Sequence, residues 1–243
     1  MTAPLQRRSG IALWRQVADQ IRQTLLPPLS SGDRLPPEID LAARFGVNRH
    51  TVRVALAALE REGIVHAEQG RGTFVSNRRR LRYPIGLRTR FSEGLEDQAR
   101  VLGATLLSTE REPAGAEVAR AIGLEAGRPV IRLDTLARAD GVPVSLARSW
   151  FDATRFPAIA DHFANTGSVT RALALSGLAD YTRASTLISA MHADAEDLGL
   201  LGLSPGAIVL ETRSINVDGD GRPVQYARTR FAADRMEFLV GEA

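Results

Sequence analysis

Between Leu35 and Val75 the chain reads LPPEIDLAARFGVNRHTVRVALAALEREGIVHAEQGRGTFV. Apolar residues at helical spacing run through Leu41, Ala42 and Phe45, stop at Gly46, and resume at Val52, Leu56 and Leu59, with Ala55 near them. Pro37 suits a first helical turn, and Glu38 favours the positive end of the helix dipole. Gly46 supplies a left-handed C-cap, and Asn48 is a good N-cap for the next helix. Gly63 ends that helix. Ile64–Glu68 and Thr73–Val75 then read as strands about a Gln69-Gly70-Arg71-Gly72 tip. Such an order of parts sets a helix into a DNA major groove with a basic hairpin beside it.

A further amphipathic helix precedes this stretch. Leu13, Val17, Ile21 and Leu25 recur every fourth residue, with Trp14 on an adjacent face, and Pro27-Pro28 ends the run. Leu29–Arg34 is a turn-rich link containing Ser30-Ser31-Gly32-Asp33.

Arg49, His50 and Arg53 fall away from the apolar stripe, in the first turn and a half of the third helix. A helix N-terminus attracts phosphate, and arginine takes guanine O6 and N7 bidentately. Gly70 and Gly72 permit close backbone approach, and Arg71 fits a narrow minor groove. Arginines on one helix also form ordinary solvated faces. The ordered set of helix, glycine turn, arginine-rich helix start and Gly-Arg-Gly tip argues for DNA instead.

Charge is distributed accordingly. All 31 basic residues are arginine, against 28 acidic ones. Residues 1–82 carry 14 Arg and 7 Asp+Glu, a net of +7, which leaves −4 for residues 83–243 out of the total of +3. A basic first third on an acidic remainder fits a polyanion-binding module. There is no cysteine, which excludes disulfides and thiolate metal sites and makes a reducing cytoplasm the expected compartment. No apolar run approaches the roughly 18 residues of a membrane span, and MTAPLQRRSG is not followed by a secretory apolar region. His50, His66, His162 and His192 show no metal-ligand spacing. With no G-x-S-x-G elbow, Walker loop or dinucleotide fingerprint, neither an enzyme nor a cofactor is expected.

The expected division is a DNA-binding domain over 1–76, a basic linker over 77–82 and an effector-binding and dimerisation domain over 83–243. The linker, rich in arginine from Arg78 to Arg82, is a hinge that lies against phosphates or is merely solvated. The last domain repeats itself. Thr105-Leu106-Leu107-Ser108 is echoed by Thr186-Leu187-Ile188-Ser189, and Pro143-Val144-x-x-Ala147-Arg148-x-x-Phe151 by Pro223-Val224-x-x-Ala227-Arg228-x-x-Phe231. Each half reads strand, helix, hairpin, with turns at Ala139-Asp140-Gly141 and Asp218-Gly219-Asp220-Gly221. Strands are expected at 104–110, 129–138, 142–151, 185–191, 207–217 and 223–231, and helices near 92–101, 115–121, 154–165, 168–176 and 194–200. The fold class is α+β, with a mostly antiparallel sheet.

Leu35-Pro36-x-Glu38, Leu41-Ala42, Phe45-Gly46-Val47, Arg49-x-Thr51-Val52-Arg53, Glu62-Gly63 and Gln69-Gly70-Arg71-Gly72-Thr73-Phe74-Val75 resemble the winged helix-turn-helix of GntR-type bacterial transcription regulators. That resemblance implies DNA contacts at Glu38, Asn48, Arg49, His50, Thr51, Arg53, Gly70, Arg71 and Gly72. It departs at Ile39, where the family usually has arginine, so operator preference is expected to differ. Residues 83–241 resemble the effector domain of the HutC-like branch, which shares its fold with chorismate lyase. Tyr83-Pro84, Arg90-Phe91-Ser92 and Leu95-x-Asp97-Gln98, with Phe45–Thr51 upstream, resemble repressors of phosphonate-metabolism genes, which implies a phosphonate- or phosphate-bearing effector.

An oxyanion calls for guanidinium groups and N–H donors. The candidate effector residues are Arg90, Phe91, Ser92, Arg132, Arg148, Tyr226 and Arg228. Ser92 is placed as a helix N-cap. Arg148 and Arg228 hold equivalent repeat positions in strands, where either a bound anion or the carboxylates of Asp134, Glu211 or Asp234 would partner them; Tyr226 donates to a ligand or packs. The expectation is a repressor that binds a palindromic operator in double-stranded DNA as a homodimer and answers to a small anionic effector. The alternatives are an enzyme built on the lyase-like half and an architectural DNA binder without a ligand.

Overall fold

The computed structural model describes residues 12–29, 32–61, 63–68, 70–76, 80–88, 90, 94–95, 97–203 and 205–241. The chain divides into two compact units, with the boundary between residues 79 and 80.

In the first unit, α1 (Leu13–Gln20) continues into one π-helical turn, Ile21–Leu25, closed by the Leu26 N–H to Ile21 carbonyl bond at 3.1 Å. The single long helix expected from apolar spacing thus widens in its last turn. α2 (Glu38–Phe45) ends at Gly46, whose φ of 63° is left-handed, and α3 (Arg49–Arg61) begins after Asn48, which accepts from the Thr51 N–H at 2.7 Å. Val17, Ile21, Leu35, Leu41, Phe45, Val52, Leu56 and Leu59 form one core beneath these helices. β1 (Val65–Glu68) and β2 (Gly72–Val75) make an antiparallel hairpin. The link expected as a turn also pairs with it: Leu35 N–H donates to Thr73 O at 2.8 Å and Val75 N–H to Asp33 O at 2.8 Å. Periodicity does not reveal this third strand because so few residues pair.

The second unit is built on an antiparallel sheet of six strands in the order β4-β5-β6-β9-β8-β7. These are β4 (Leu102–Pro113), β5 (Pro129–Ala139), β6 (Val142–Asp152), β7 (Thr182–His192), β8 (Ile208–Val217) and β9 (Pro223–Ala232). The two halves are β4-β5-β6 and β7-β8-β9, and they meet at the β6–β9 seam. A parallel pair, β3 (Leu81–Ile85) with β10 (Met236–Val240), is absent from the expected strands. Its partners lie at opposite ends of the domain, so neither shows the hairpin signal that marks the others. Tyr83 and Met236 from this pair pack on Phe231 and Val144.

Among the described residues, four further helices of the unit have both ends defined: α4 (Ala116–Ile122), α5 (Ile159–Thr166), α6 (Val169–Leu175) and α7 (Ala195–Leu200). α5 and α6 bury Ile159, Phe163 and Leu173 on one face of the sheet, against Ile131, Leu133 and Phe151. α4 and α7 cover the two ends of the opposite face, where Trp150 and Tyr226 pack with Ile122, and Leu136 with Leu201. The helix expected at 154–165 starts only at Ile159. In the stretch expected as a helix over 92–101, residues 92, 93 and 96 lie outside the described residues, and the rest holds one helical turn at Gly94–Leu95 followed by a turn at 97–98. Arg235 is buried and donates to the carbonyls of Pro143 and Leu201, both at 2.6 Å, tying β10 to the sheet. No helix among the described residues is long and apolar enough to cross a membrane.

Candidate nucleic-acid interface and effector cavity

The apolar stripe of α3 is fully committed to the core, which turns Arg49, His50 and Arg53 outward at its first turns. Glu38, at the start of α2, reaches the same place. Its carboxylate accepts from Arg53 Nε and Nη2 at 3.4 and 3.3 Å, and Arg49 Nη2 lies 3.6 Å away. The hydrogen bonds that Arg53 donates to Glu38, reinforced by the carboxylate charge, raise the Arg53 pKa further above an already high value. Asn48 is exposed but its Oδ1 is engaged, accepting from both the backbone N–H and the hydroxyl of Thr51. Ile39 is 61% exposed beside this cluster. At the hairpin tip Arg71 is outward, ion-paired with Glu68 and over the Phe74 ring at 5.6 Å. Gly70 has φ 75° and an open surround, whereas a Cβ on Gly72 (φ 117°) would sit 2.7 Å from Arg34 Nε. The glycine at 72 therefore serves an approach to Arg34 within the head.

In the second unit, alternation divides the sheet into two chemically different faces. The face beneath α5 and α6 presents Thr135, Ser145, Ser149, Thr212, Ser214, Asn216 and Gln225, all buried. Asn216 Nδ2 donates to Gln225 Oε1 at 2.7 Å, and Gln225 Nε2 to Ser149 Oγ at 2.9 Å. This polar floor underlies a cavity of about 250 Å³ walled by Tyr83, Ile85, Phe163, Ser168, Thr170 and Tyr181, with Arg90, Arg171 and Arg183. Its described lining contains three arginines and no Asp or Glu.

Arg90 is held from two sides. It donates to Asp180 at 2.7 Å and lies over the Tyr181 ring at 5.2 Å. Hydrogen bonding from Arg88, which grips both oxygens of Asp180 at 2.8 and 2.9 Å, is the main cause that lowers the Asp180 pKa. Arg183 donates from Nε to Asn216 at 2.7 Å and from Nη1 to Thr186 at 3.0 Å. Burial pushes the Tyr83 phenol up to about 12, although the Arg183 guanidinium pulls the other way.

Of the candidate effector residues, Arg90 lines this cavity. Phe91 and Ser92 lie outside the described residues. Arg132, Arg148, Tyr226 and Arg228 are on the opposite face of the sheet, away from the cavity. There Arg132 binds Glu110, Glu112 and Asp134 at 2.8, 2.7 and 3.0 Å, Arg148 binds Asp134 at 2.6 Å, and Arg228 binds Glu211 at 3.3 Å. Two of the three carboxylates suggested as partners, Asp134 and Glu211, take that part; Asp234 instead lies 3.7 Å from Arg235. Burial would raise the Asp134 pKa, but hydrogen bonds from Arg148 and Ser108 outweigh it and hold the group below its ordinary value. The Tyr226 hydroxyl donates to Glu117 at 2.5 Å, and burial, with that carboxylate, pushes its pKa upward.

Sequence reasoning missed Arg171, Arg183 and Tyr181. Arg183 precedes a bulge at Arg183/Ser185 that breaks simple alternation, and its strand was expected to begin only at 185.

Comparison with known proteins agrees with this architecture. Residues 13–75 match the family described as bacterial regulatory proteins, gntR family, and residues 97–237 match the UTRA domain. The uncharacterized HTH-type transcriptional regulator RB1450 of Rhizobium meliloti (strain 1021) is 53% identical over 97% of both chains. The probable transcriptional regulator PhnF of Escherichia coli (strain K12) is 35% identical over 93% of this chain and 94% of its own. The crystal structure of PhnF from Mycobacterium smegmatis superimposes with a TM-score of 0.64 at 28% identity, covering 93% of this chain and 99% of that one. These relatives are named as regulators, not as enzymes. With a helix-turn-helix head followed by a UTRA domain, the chain belongs to the GntR family of bacterial transcription regulators, in its HutC-like branch.

Proposed function

We propose that this regulator is a cytoplasmic repressor that binds a palindromic operator as a homodimer, and that a small phosphate- or phosphonate-bearing effector in the α5–α6 cavity controls that binding. The observation that carries the effector class is the cavity lining: three arginines, many hydroxyls and no carboxylate among the described residues. Guanidinium and hydroxyl donors in a lining with no carboxylate among the described residues favour an oxyanion, which would share Arg90 with Asp180 behind it. Arg90 anchors it, with Phe91 and Ser92 next to it in sequence. The likeness to proteins named PhnF supports the phosphonate reading.

The DNA-contacting set is Glu38, Asn48, Arg49, His50, Thr51, Arg53, Gly70, Arg71 and Gly72, on a head spanning 1–76. One short helix reads too few bases for genomic specificity, so two heads on a palindrome are required. Residues 83–243 supply the pairing surface. The edge strand β4 is guarded by Glu110, Arg111 and Glu112, whereas β7 has no charged residue from Ala184 to Met191 and exposes Leu187, Ile188 and Met191. Unguarded edges invite another strand. An antiparallel match of two β7 strands about a two-fold brings no like charges together.

Control runs through β3. Its Tyr83 and Ile85 wall the cavity, and its first two residues, Leu81 and Arg82, are the last two of the stretch expected as a linker, 77–82. A ligand that favours one placement of β3 shifts the population between two dimer geometries, to the extent of its differential affinity.

A thermal-melt screen against phosphate, phosphonates, sugar phosphates and aromatic acids tests the effector, since a ligand at about 100 times its Kd stabilises by about 2.7 kcal/mol. Gel shifts with any hit then test control. Stabilisation by aromatic acids and not by phosphoryl compounds would refute the effector class. A monomeric mass in solution, or selection of non-palindromic duplexes, would refute the dimeric operator.

A further inference from the structure

The hairpin of the head carries a charge that the assigned DNA contacts leave out. Arg34 forms an antiparallel bridge with Phe74. The backbone on either side of it is tied to β2, Leu35 N–H to Thr73 O and Val75 N–H to Asp33 O, both at 2.8 Å. Residues opposite one another in an antiparallel sheet share a face, and so do residues two apart on one strand. Arg34, Phe74, His66, Gly72 and Glu68 therefore stand on one face. The other face holds Leu35 and Val65, 2% and 1% exposed, so this one turns outward.

Gly72 is the seat of the Arg34 side chain. A Cβ there would lie 2.7, 3.0 and 3.2 Å from Arg34 Nε, Nη2 and Cζ, so only a residue without one lets the guanidinium come this close to β2. The seat carries Arg34 toward the tip, where Arg71 lies over the Phe74 ring at 5.6 Å.

Ion pairing sets Arg34 apart. Arg49 and Arg53 share Glu38, and Arg71 is paired with Glu68. Arg34 is exposed and makes no hydrogen bond or ion pair with a described residue. A phosphate that meets it displaces no carboxylate. Arg34 also stands four residues before Glu38. It lies on the segment that joins the hairpin to the charged cluster at the start of α3.

We infer that Arg34, seated on Gly72, takes a phosphate of the DNA backbone between the groove entered by α3 and the one touched by the hairpin tip. This inference rests on the DNA-contacting reading of the head and adds a residue to it. Phosphate contacts fix register and carry no direct sequence information, so Arg34 serves operator and random duplex alike. Gly72 acts through Arg34 and not by touching DNA itself.

Anisotropy titration of the full-length protein across a salt series tests it, on a random duplex and on an operator duplex selected from a random pool. Arg34→Gln should weaken binding to both by about three- to tenfold. It should make log K fall by roughly 0.9 less per unit of log salt, with the melting temperature within a few degrees. Arg34→Lys keeps the charge and should keep the slope. A residue with a Cβ is strained at φ 117°, so Gly72→Ala is compared by slope and not by affinity. It should match the slope of Arg34→Gln and change it no further when the two are combined. Salt-dependent binding by the parent protein, with an unchanged slope in Arg34→Gln, would overturn this inference and leave the DNA-contacting reading standing; no duplex binding by the parent would overturn both. A loss confined to the operator would make Arg34 a base reader, and a slope lost equally in Arg34→Lys would make its role one of packing; either overturns the phosphate contact. A further loss of slope in the double variant would mean that Gly72 itself meets the DNA, and would overturn the seating.

Discussion

Glu38 holds Arg53 through both carboxylate oxygens, at 3.4 and 3.3 Å, from the helix before the one that carries the arginine. Exposed pairs of this kind add little to folding; under the proposed DNA contact, the pair would set how Arg53 is presented to DNA. A guanidinium gripped at Nε and Nη2 keeps its remaining donors in a fixed direction, as bidentate base recognition requires. Glu38→Gln should therefore tighten binding to random duplex, because one repelling charge is gone, and lower the ratio of operator to random affinity. Arg53→Ala should cost operator binding about tenfold or more if the arginine reads a base. Anisotropy titrations on both duplexes measure the two effects. An unchanged ratio in Glu38→Gln would show that the pair has no part in discrimination.

Ile39 offers a gain-of-contact experiment. It is 61% exposed next to Glu38, at the place where the family usually has arginine. Ile39→Arg should raise affinity for duplex DNA and steepen the salt dependence, log K falling by roughly 0.9 more per unit of log salt for one added phosphate contact. Binding measured across a salt series reads that slope directly. An unaltered slope would mean that position 39 faces away from the backbone.

Arg88 grips both oxygens of Asp180, so that carboxylate keeps a bidentate partner when Arg90 is replaced. Arg90→Gln should keep its melting temperature in buffer within a few degrees, bind operator normally, and lose most of the thermal shift given by a phosphoryl effector. A shift of undiminished size would exclude Arg90 from the effector site.

Much of this was legible from residue spacing. The helix-turn-helix announces itself because Gly46 and Asn48 are local signals that act within one turn, and the hairpins of the sheet because Asp140-Gly141 and Gly219–Gly221 sit between alternating runs. The β3–β10 pair was not legible, since parallel pairing of the two ends of a domain leaves no local mark. Arg148 and Arg228 show the limit for sites. Their repeat equivalence was visible, and it places them opposite each other across the central seam. Which face of the sheet would hold the larger cavity depends on where α5 and α6 pack, and alternation alone fixes only that the two arginines share a face.

The cap of α7 gives a pH test. Asp194 accepts from the Asp197 N–H and, in the converse half of a capping box, Asp197 accepts from the Asp194 N–H; Asp194 also takes Arg230 Nη1 at 2.6 Å. The hydrogen bond from the Asp197 backbone is the chief cause that lowers the Asp194 pKa, opposed by burial and aided by Arg230. A carboxyl whose folded pKa lies below its unfolded one stabilises fully above the unfolded value, about 3.9, and loses that contribution as pH falls through the folded value. Asn caps a helix nearly as well as Asp, so Asp194→Asn isolates the charge. Because Asp194 is half exposed, the loss at neutral pH should be at most about 1 kcal/mol. Urea unfolding of both proteins from pH 7 downward should show the difference constant to about pH 5 and shrinking below about 4. A difference that persists unchanged to pH 2 would mean that the substitution acts through packing and not through the charge on Asp194.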